Sequence, residues 1–571
     1  MSGSSAPVSL VEALQRNAER YWRGFTFVSG DRCDTDTFVS FSQLKESVAR
    51  AAAALRARGV RQGDLVALIV PDAQEFVTSF LAAVWAGAVP VPLYPPVGLG
   101  SQQAYLDYIC GLMDAASVDG LIIPQWLDDA LGLGERFQEQ HKPVAHADAL
   151  DAGEDLLEPV VRGSDQPVFL QFTSGSTGKP KAVVVKDKSL WTNAEAFVSA
   201  LVCTDRDHAV SWLPLYHDMG LIGEVLAPLL FSVEVTFLPT LSFLRDPGVW
   251  LDVISRKRAT LSFAPNFAYA LVAKRAKPRG RAWDLSSMRA FGCGAEPINA
   301  ETLDLFIDTF APYVLRLESI MPAYGMAEAT LAVTFDRLDR RFTALKVGAD
   351  AYHADGEIKS PVGDEKTLSF INCGKVFEGH SIRIADDRGS DLPPGRVGDV
   401  EFRGPSLAAG YYRDEAATRA TFRDDRWLVT GDRGFIVDGN LYVTGRKKDI
   451  LIVNGRNYDP HHVEWAAADV PGIRKGNVVA FSVPSDVTEK VVVVAEGVAL
   501  GDNHHQQVRR AVYSQTRLAI DELVLLEPGQ LPKTSSGKVQ RSRTRDLYLT
   551  DALEDVTVAT RTHAHTGTAS G

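Results

Sequence analysis

Apolar residues recur with two periods along the first hundred positions. Leu44, Val48, Ala51, Ala52 and Leu55 fall on one face of a 3.6-residue repeat, and Gly59 stands where that helix would stop. Residues 65–70 (LVALIV) form an unbroken apolar run, which suits a strand covered on both faces. Residues 75–86 read as a second helix ended by Gly87. Residues 88–93 (AVPVPL) read as an extended piece, and Pro90 and Pro92 predict an edge position because proline cannot donate to a ladder. Strand, helix, strand at this spacing predicts parallel pairing, and the pattern is expected to continue to about residue 440. No repeat of solenoid length is present.

Near Gly445 the texture changes. The charged turn GRKKD separates two apolar strands at 441–443 and 450–453, and later strand-like runs at 477–483 and 490–494 sit in a shorter, mixed region. A domain boundary is expected there, between a large N-terminal body and about 100 ordered residues after it. The polar terminus TRTHAHTGTASG predicts a disordered tail.

Composition narrows the class. The 571 residues are 45% hydrophobic and 23% charged, which excludes wholesale disorder. A net charge of −12 argues against generic nucleic-acid binding, which needs clustered basic residues. The five cysteines, Cys33, Cys110, Cys203, Cys293 and Cys373, are far apart and form no C-x-x-C pair. Neither a disulfide framework nor a structural zinc site is expected, and a reducing, cytoplasmic setting fits. No apolar run reaches the ~18 residues of a membrane span, and the first twenty residues do not pattern as a signal peptide.

The strongest chemical signal is Thr173-Ser174-Gly175-Ser176-Thr177-Gly178-Lys179-Pro180-Lys181, after the apolar run 168–172. Glycines let backbone N–H groups approach an anion, hydroxyls donate, and lysines neutralise charge, so the run suits a loop around phosphates. It is not a Walker loop, which would need Gly at Thr173 and Ser or Thr at Pro180. A polar surface linker would have the same composition.

TSGSTGKPK resembles the phosphate loop of the adenylate-forming superfamily: acyl-CoA synthetases, luciferases, peptide-synthetase adenylation domains and fatty acyl-AMP ligases. Further segments match in order. Gly294-Ala295-Glu296-Pro297 is similar to the adenine-binding turn. Tyr324-Gly325-Met326-Ala327-Glu328 is similar to the motif whose Tyr stacks on adenine and whose Glu holds Mg²⁺. Thr430-Gly431-Asp432 resembles the ribose-binding motif. Gly445-Arg446-Lys447-Lys448-Asp449 resembles the hinge, with Arg446 near the nucleotide and Lys448 as pivot. The stretch 531–541 (LPKTSSGKVQR) resembles the C-terminal loop whose second lysine, here Lys538, is catalytic. Alone, Asp432 is a turn aspartate able to accept from a diol, Glu328 a helix-start carboxylate able to bind Mg²⁺, and Lys538 a solvated surface lysine. Only the resemblance makes Lys538 catalytic.

The resemblance implies an α/β fold: a large adenylate-forming domain with mixed sheets and helices (1–444), a hinge (445–449), a small mobile α+β domain (450–550) and a tail (551–571). Residues 212–223 (WLPLYHDMGLIG), 244–251 (LRDPGVWL), 264–271 (APNFAYAL) and 324–331 (YGMAEATL) resemble the fatty acyl-AMP ligase branch in particular. The long interval from Glu328 to the Cys373-Gly374 turn resembles that branch's insertion, at about 338–367, which accompanies poor transfer to free CoA. The acyl pocket is expected to involve His217, Glu224, Phe267 and Tyr269, with His217 also at the reacting end. The implied reaction joins a carboxylic acid, expected to be fatty, to AMP from ATP with Mg²⁺, then passes the acyl group to an acyl carrier protein in trans. An acyl-CoA ligase, a ligase activating aryl or amino acids for a carrier protein, and a non-catalytic nucleotide- or carrier-binding module are the competing readings; intact Lys538, Glu328 and Asp432 argue against the last.

The chain departs from the family pattern at Lys181-Ala182, Lys186-Asp187, Cys293 and Glu224. Glu224 bears most on function, because it follows His217 by seven residues, two α-helical turns. It is expected to face solvent or pair with an arginine; the alternative is a polar or amino-bearing acyl substrate.

Overall fold

A computed structural model describes residues 8–553, apart from 31, 97–101, 174–179, 279–281, 424, 454–455, 485–488, 502 and 534–537. The core of the phosphate loop, residues 534–537 of the 531–541 loop and nearly all of the tail therefore lie outside the described residues.

Alternating βα segments assemble two parallel sheets. In the larger, Gly24–Ser29, Glu234–Phe237, His208–Ser211, Leu261–Pro265, Ala290–Gly294 and Ile320–Gly325 lie side by side in that order, all parallel. Antiparallel strands Thr35–Ser40 on one side, and Ala332–Phe335 then Lys375–Val376 on the other, complete nine strands. The smaller sheet runs Val89–Pro92, Leu65–Leu68, Gly120–Ile123, Val144–His146. Val89–Pro92 takes the edge that its two prolines demand. Helix Ala73–Trp85 connects Leu65–Leu68 to Val89–Pro92 along the chain, and helix Phe41–Ala57 turns Leu44, Val48, Ala51, Ala52 and Leu55 into the core. Gly59 adopts φ +100°, the left-handed stop at that helix's end.

The parallel pattern ends sooner than the sequence predicts. After Ile320–Gly325 the described sheets of the large body are antiparallel, including the four-stranded sheet Ser381–Ala385, Gly398–Arg403, Leu428–Val437, Asn440–Arg446. Pro167–Thr173 also pairs antiparallel, with Lys181–Lys186 across the loop. Apolar alternation fixes which face is buried but not the direction of the neighbour.

Beyond residue 450 a separate apolar cluster forms. Strands Ile473–Val483, Lys490–Gly497 and Glu522–Leu526 pack Val478, Ala480, Val491, Val493 and Leu525 against helices Pro460–Ala468 and Asn503–Thr516. Arg541 ties this unit to the preceding turn. Its guanidinium donates to Asp449 at 2.7 Å, Glu464 at 2.6 Å and the Ala480 carbonyl at 2.9 Å.

The stretch 338–367 is not a bare loop. Ala344–Gly348 pairs with Thr367–Ile371, and helix Ala349–Asp355 follows the first strand. Val347, Tyr352, Leu368 and Phe370 share a small core with Val397, Phe435 and Tyr442. The helix then reaches the C-terminal unit. The Tyr352 hydroxyl donates to Asp459, His353 Nδ1 lies 2.7 Å from the Asn457 carbonyl, and the His353 and Tyr458 rings are 4.2 Å apart.

Candidate active site

The site lies at the C-terminal edge of the large parallel sheet, where open α/β sheets place their ligands. Ala290–Gly294 ends in the turn 294–297 and Ile320–Gly325 ends at Tyr324-Gly325-Met326. These turns need close backbone approach. A Cβ on Gly294 would stand 2.9 Å from the Ala323 carbonyl oxygen, and one on Gly325 2.0 Å from that of Leu331. Ala295 adopts φ +66°, an uncommon conformation for a residue with a side chain, and its carbonyl accepts from Lys538 Nζ at 2.6 Å. The C-terminal unit thus delivers Lys538 onto the 294–297 turn.

Two acids and a histidine converge there. Glu296 accepts from the Phe267 backbone N–H at 2.6 Å; burial raises its pKa and nearby Lys538 opposes the shift. Asp218 accepts from the Met219 N–H at 2.8 Å and shows the same two influences. Burial pushes the neighbouring His217 imidazole down to about 3, and the Lys538 cation adds to this, so His217 is neutral at physiological pH.

Tyr324, Asp432 and Arg446 form a second group. The Tyr324 hydroxyl donates to Asp432 at 2.7 Å, and Arg446 Nε lies 3.4 Å from the other Asp432 oxygen. Burial raises the Asp432 pKa, and the arginine and tyrosine oppose the shift. Tyr324 also lies 4.0 Å from the sulfur of Met326. The one-turn helix Lys447–Asp449 follows, containing Lys448; Lys447 is tied to Asp387 at 2.6 Å and Asp399 at 2.7 Å.

Glu328 is half-buried on a one-turn helix, not on the surface. It accepts from the Tyr411 hydroxyl at 2.7 Å, and Lys181 Nζ sits 4.6 Å above the Tyr411 ring. Burial raises the Glu328 pKa. Sequence reasoning missed Tyr411, which stands in an ordinary-looking GYYR run. Thr173 and Lys181 pair across the base of the phosphate loop; Ser174, Gly175, Ser176, Thr177, Gly178 and Lys179 lie outside the described residues.

From these groups a cavity, continuous with solvent, runs down along the sheet. Asp218, Gly294, Ala295, Tyr324 and Gly325 line its mouth side, while Phe263, Leu331, Phe335, Phe197, Leu201, Leu261 and Val233 supply apolar wall. Phe263, Leu261 and Ala209 share one sheet face by alternation and register. The wall residues Phe197 and Phe335 carry no motif that sequence alone could flag.

Two expected pocket residues lie elsewhere. Tyr269 is fully buried, among Trp250, Phe291 and Phe306, and its hydroxyl donates to the Gly292 carbonyl at 2.7 Å. Phe267 packs edge-on against Trp212 and contributes its backbone N–H to Glu296. In helix Asn266–Arg275, an aromatic-rich turn after a strand reads equally as pocket or core, and here the aromatics serve the core.

The expectation for Glu224 is also overturned. It does not face solvent, being 2% exposed and lining the cavity, and among the described residues no arginine pairs with it. Met219–Leu226 is a π-helix, with the Ala227 N–H bonded to the Ile222 carbonyl five residues back. Its wider turn shifts Glu224 off the azimuth that α-helical spacing from His217 predicts.

The model of the AMP-binding enzyme family matches residues 14–412. A Caulobacter vibrioides protein provisionally named an acyl-CoA synthetase is 36% identical over 90% of this chain and 91% of its own. A medium-chain-fatty-acid–[acyl-carrier-protein] ligase of Moorena producens is 30% identical over 96% of both chains. A solved structure from work on fatty acyl-adenylate ligases of E. coli and L. pneumophila superposes with a TM-score of 0.87 at 32% identity, covering 95% of this chain and 98% of its own. The chain belongs to the AMP-binding enzymes, which use ATP. Within them it is an adenylate-forming ligase of the fatty acyl-AMP ligase family. Among the described residues no helix is long and apolar enough to cross a membrane.

Proposed function

We propose that the protein joins an apolar-chain carboxylic acid to AMP and then passes the acyl group to the phosphopantetheine thiol of an acyl carrier protein. The observation that carries this reading is the apolar cavity opening at the 294–297 turn directly beside Lys538. A fatty chain fills such a cavity while its carboxylate stays at the charged mouth.

In the first step a substrate carboxylate oxygen attacks the α-phosphorus of ATP, and the bond to the bridging oxygen breaks to release pyrophosphate. Two anions must approach, so the protein's task is alignment and charge neutralisation. Lys538 supplies a cation at the mouth, and Thr173 to Lys179 with Lys181 cradle the phosphates. The 294–297 turn, Tyr324 and Met326 bracket adenine. Asp432 and Arg446 hold the ribose. His217, being neutral, shapes the mouth without repelling a cation. Glu328 suits Mg²⁺, which binds through one or two carboxylates plus substrate phosphates, and Tyr411 fixes its orientation. When bound, that ion would neutralise phosphate charge.

In the second step the thiol sulfur attacks the acyl carbonyl, AMP leaves, and the thiol proton passes to solvent or a nearby base. Lys538 occupies the mouth, so it must withdraw first. This makes 445–449 a hinge pivoting at Lys448 between a large domain (1–444) and a mobile one (450–550). The contacts of Tyr352 and His353 with 457–459 restrain that rotation, which favours a carrier protein over free CoA as acceptor.

Pyrophosphate release from ATP with straight-chain acids, followed by thioester analysis with CoA and with a holo-carrier protein, tests the reading. Adenylation with thioester on the carrier is expected. Equal or better transfer to CoA would make the protein an acyl-CoA ligase, in line with the provisional acyl-CoA synthetase name of its Caulobacter relative.

A further inference from the structure

Glu224 is a carboxyl group set into an apolar cavity wall. Its Oε1 is fully buried and has no hydrogen-bond partner among the described residues, while the Phe263 backbone N–H bonds the carboxyl group. A buried carboxyl with an unused acceptor is destabilising unless something completes it. Leu331, Phe263, Ala227 and Pro228 line the same cavity and offer no side-chain donor.

The depth of Glu224 follows from strand register. Pro265 pairs with Gly294 at the mouth, and Phe263 lies two residues back along the strand, ~7 Å at about 3.3 Å per residue. The cavity continues past this level. Leu261 pairs with Ala209, Ala209 with Val235, and Val233 comes two residues earlier, so Val233 lies ~20 Å from the mouth. The wall is apolar above and below Glu224.

We propose that Glu224 selects a carboxylic acid whose chain bears a hydrogen-bond donor, a hydroxyl or an amino group, part-way along, with further apolar chain beyond it. This rests on the ligase reading above and names its substrate class. The donor completes Oε1, and the apolar segments on either side fill the two stretches of wall. Burial pushes the Glu224 carboxyl up to about 8, which favours its neutral form. A neutral carboxyl can accept from a hydroxyl, and an ammonium group would draw it to the ionised form.

The test measures kcat/KM for pyrophosphate release with three sets of acids of matched length: unsubstituted, mono-hydroxylated and mono-aminated at successive mid-chain positions. The wild type is expected to favour one substituted position over the plain acid by roughly tenfold or more, the scale of a hydrogen bond to a charged or strongly polar group. The favoured set distinguishes hydroxyl from amine. Glu224→Leu is expected to reverse that preference, and Glu224→Gln, which keeps an acceptor and the shape, to retain a hydroxyl preference. Competition by non-hydrolysable acyl-adenylate mimics carrying the same chains reads binding separately from turnover. If the wild type uses plain acids as well as every substituted one, the inference is overturned and the ligase reading stands. If no acid of any set releases pyrophosphate, the ligase reading falls and the inference with it.

Discussion

Lys538 Nζ donates to the carbonyl oxygen of Ala295 at 2.6 Å, across 243 residues of chain. The contact brings a cation from the C-terminal unit to a backbone turn in left-handed conformation at the edge of the main sheet. The charges that matter at the mouth thus come from two separately packed parts of the chain, and neither part is complete alone.

Lys538→Ala is expected to lower adenylation by at least ~10²-fold, the scale of losing one well-placed donor to developing charge. ATP binding should persist, because Tyr324, Asp432 and Arg446 group together without Lys538. Pyrophosphate release and calorimetric ATP binding check the two halves. Near-normal adenylation would remove Lys538 from the chemistry.

The bridge from helix Ala349–Asp355 to residues 457–459 bears on acceptor choice. Tyr352→Ala together with His353→Ala removes two hydrogen bonds and a ring contact across it. Acyl-AMP formation should remain measurable while thioester yield with free CoA rises. Deleting 338–367 is a harsher version, since it also uncovers Phe435 and Tyr442. A folded, adenylating double variant with no gain in acyl-CoA would show that the bridge does not control the acceptor.

Asp459, at the end of that bridge, gives a pH signature. Burial lifts its carboxyl from 3.8 to about 7, against the opposing pull of Tyr352 and Arg433. An unfolded chain releases this proton near 3.8, so between about 4 and 7 the folded state binds more protons and stability falls as pH rises. Asp459→Asn, which cannot ionise but still accepts from Tyr352, should flatten this fall. Its Tm relative to wild type should therefore rise from pH 5 to pH 8 in scanning calorimetry. A constant difference across that range would mean that Asp459 ionises normally in the fold.

Arg541 bridges two carboxylates, Asp449 and Glu464, in a largely buried setting. Arg541→Met should destabilise the C-terminal unit by about 3 kcal/mol, as expected when one partner of a buried ion pair is removed. Urea unfolding followed through Trp465, in helix Pro460–Ala468, reports on that unit. A change below about 0.5 kcal/mol, the range of ordinary surface substitutions, would place the pair among ion pairs of no consequence.

Much of this was legible in sequence where one residue type has one physical use. Prolines at 90 and 92 fixed an edge strand, and the charged turn at 445–449 marked the change of core. Legibility failed where a residue's use depends on the direction it faces. Tyr269 belongs to the same aromatic run as Phe267 yet its hydroxyl serves the Gly292 carbonyl. Glu224 could not be placed, because α-helical counting from His217 does not hold through a π-helical segment. The partnership of Tyr352 with Asp459 joins positions 107 residues apart, and no local pattern encodes it.

Val233 marks the far end of the cavity. It precedes strand Glu234–Phe237 and lies ~20 Å from the mouth by strand register. Val233→Phe should fill that end and leave the mouth untouched. The added volume enters an apolar wall that also holds Phe197 and Leu201, so overpacking of about 1–3 kcal/mol is expected and should appear as a modest loss in Tm. Short acids that end above this level should keep their kcat/KM. Acids long enough to reach it should lose roughly tenfold or more, because their last carbons must leave the apolar wall or bend. Profiling pyrophosphate release across straight-chain acids of increasing length, wild type against variant, decides the matter. A uniform drop at all lengths would mean that the substitution perturbs the fold, and an unchanged profile that the acyl chain does not run toward Val233.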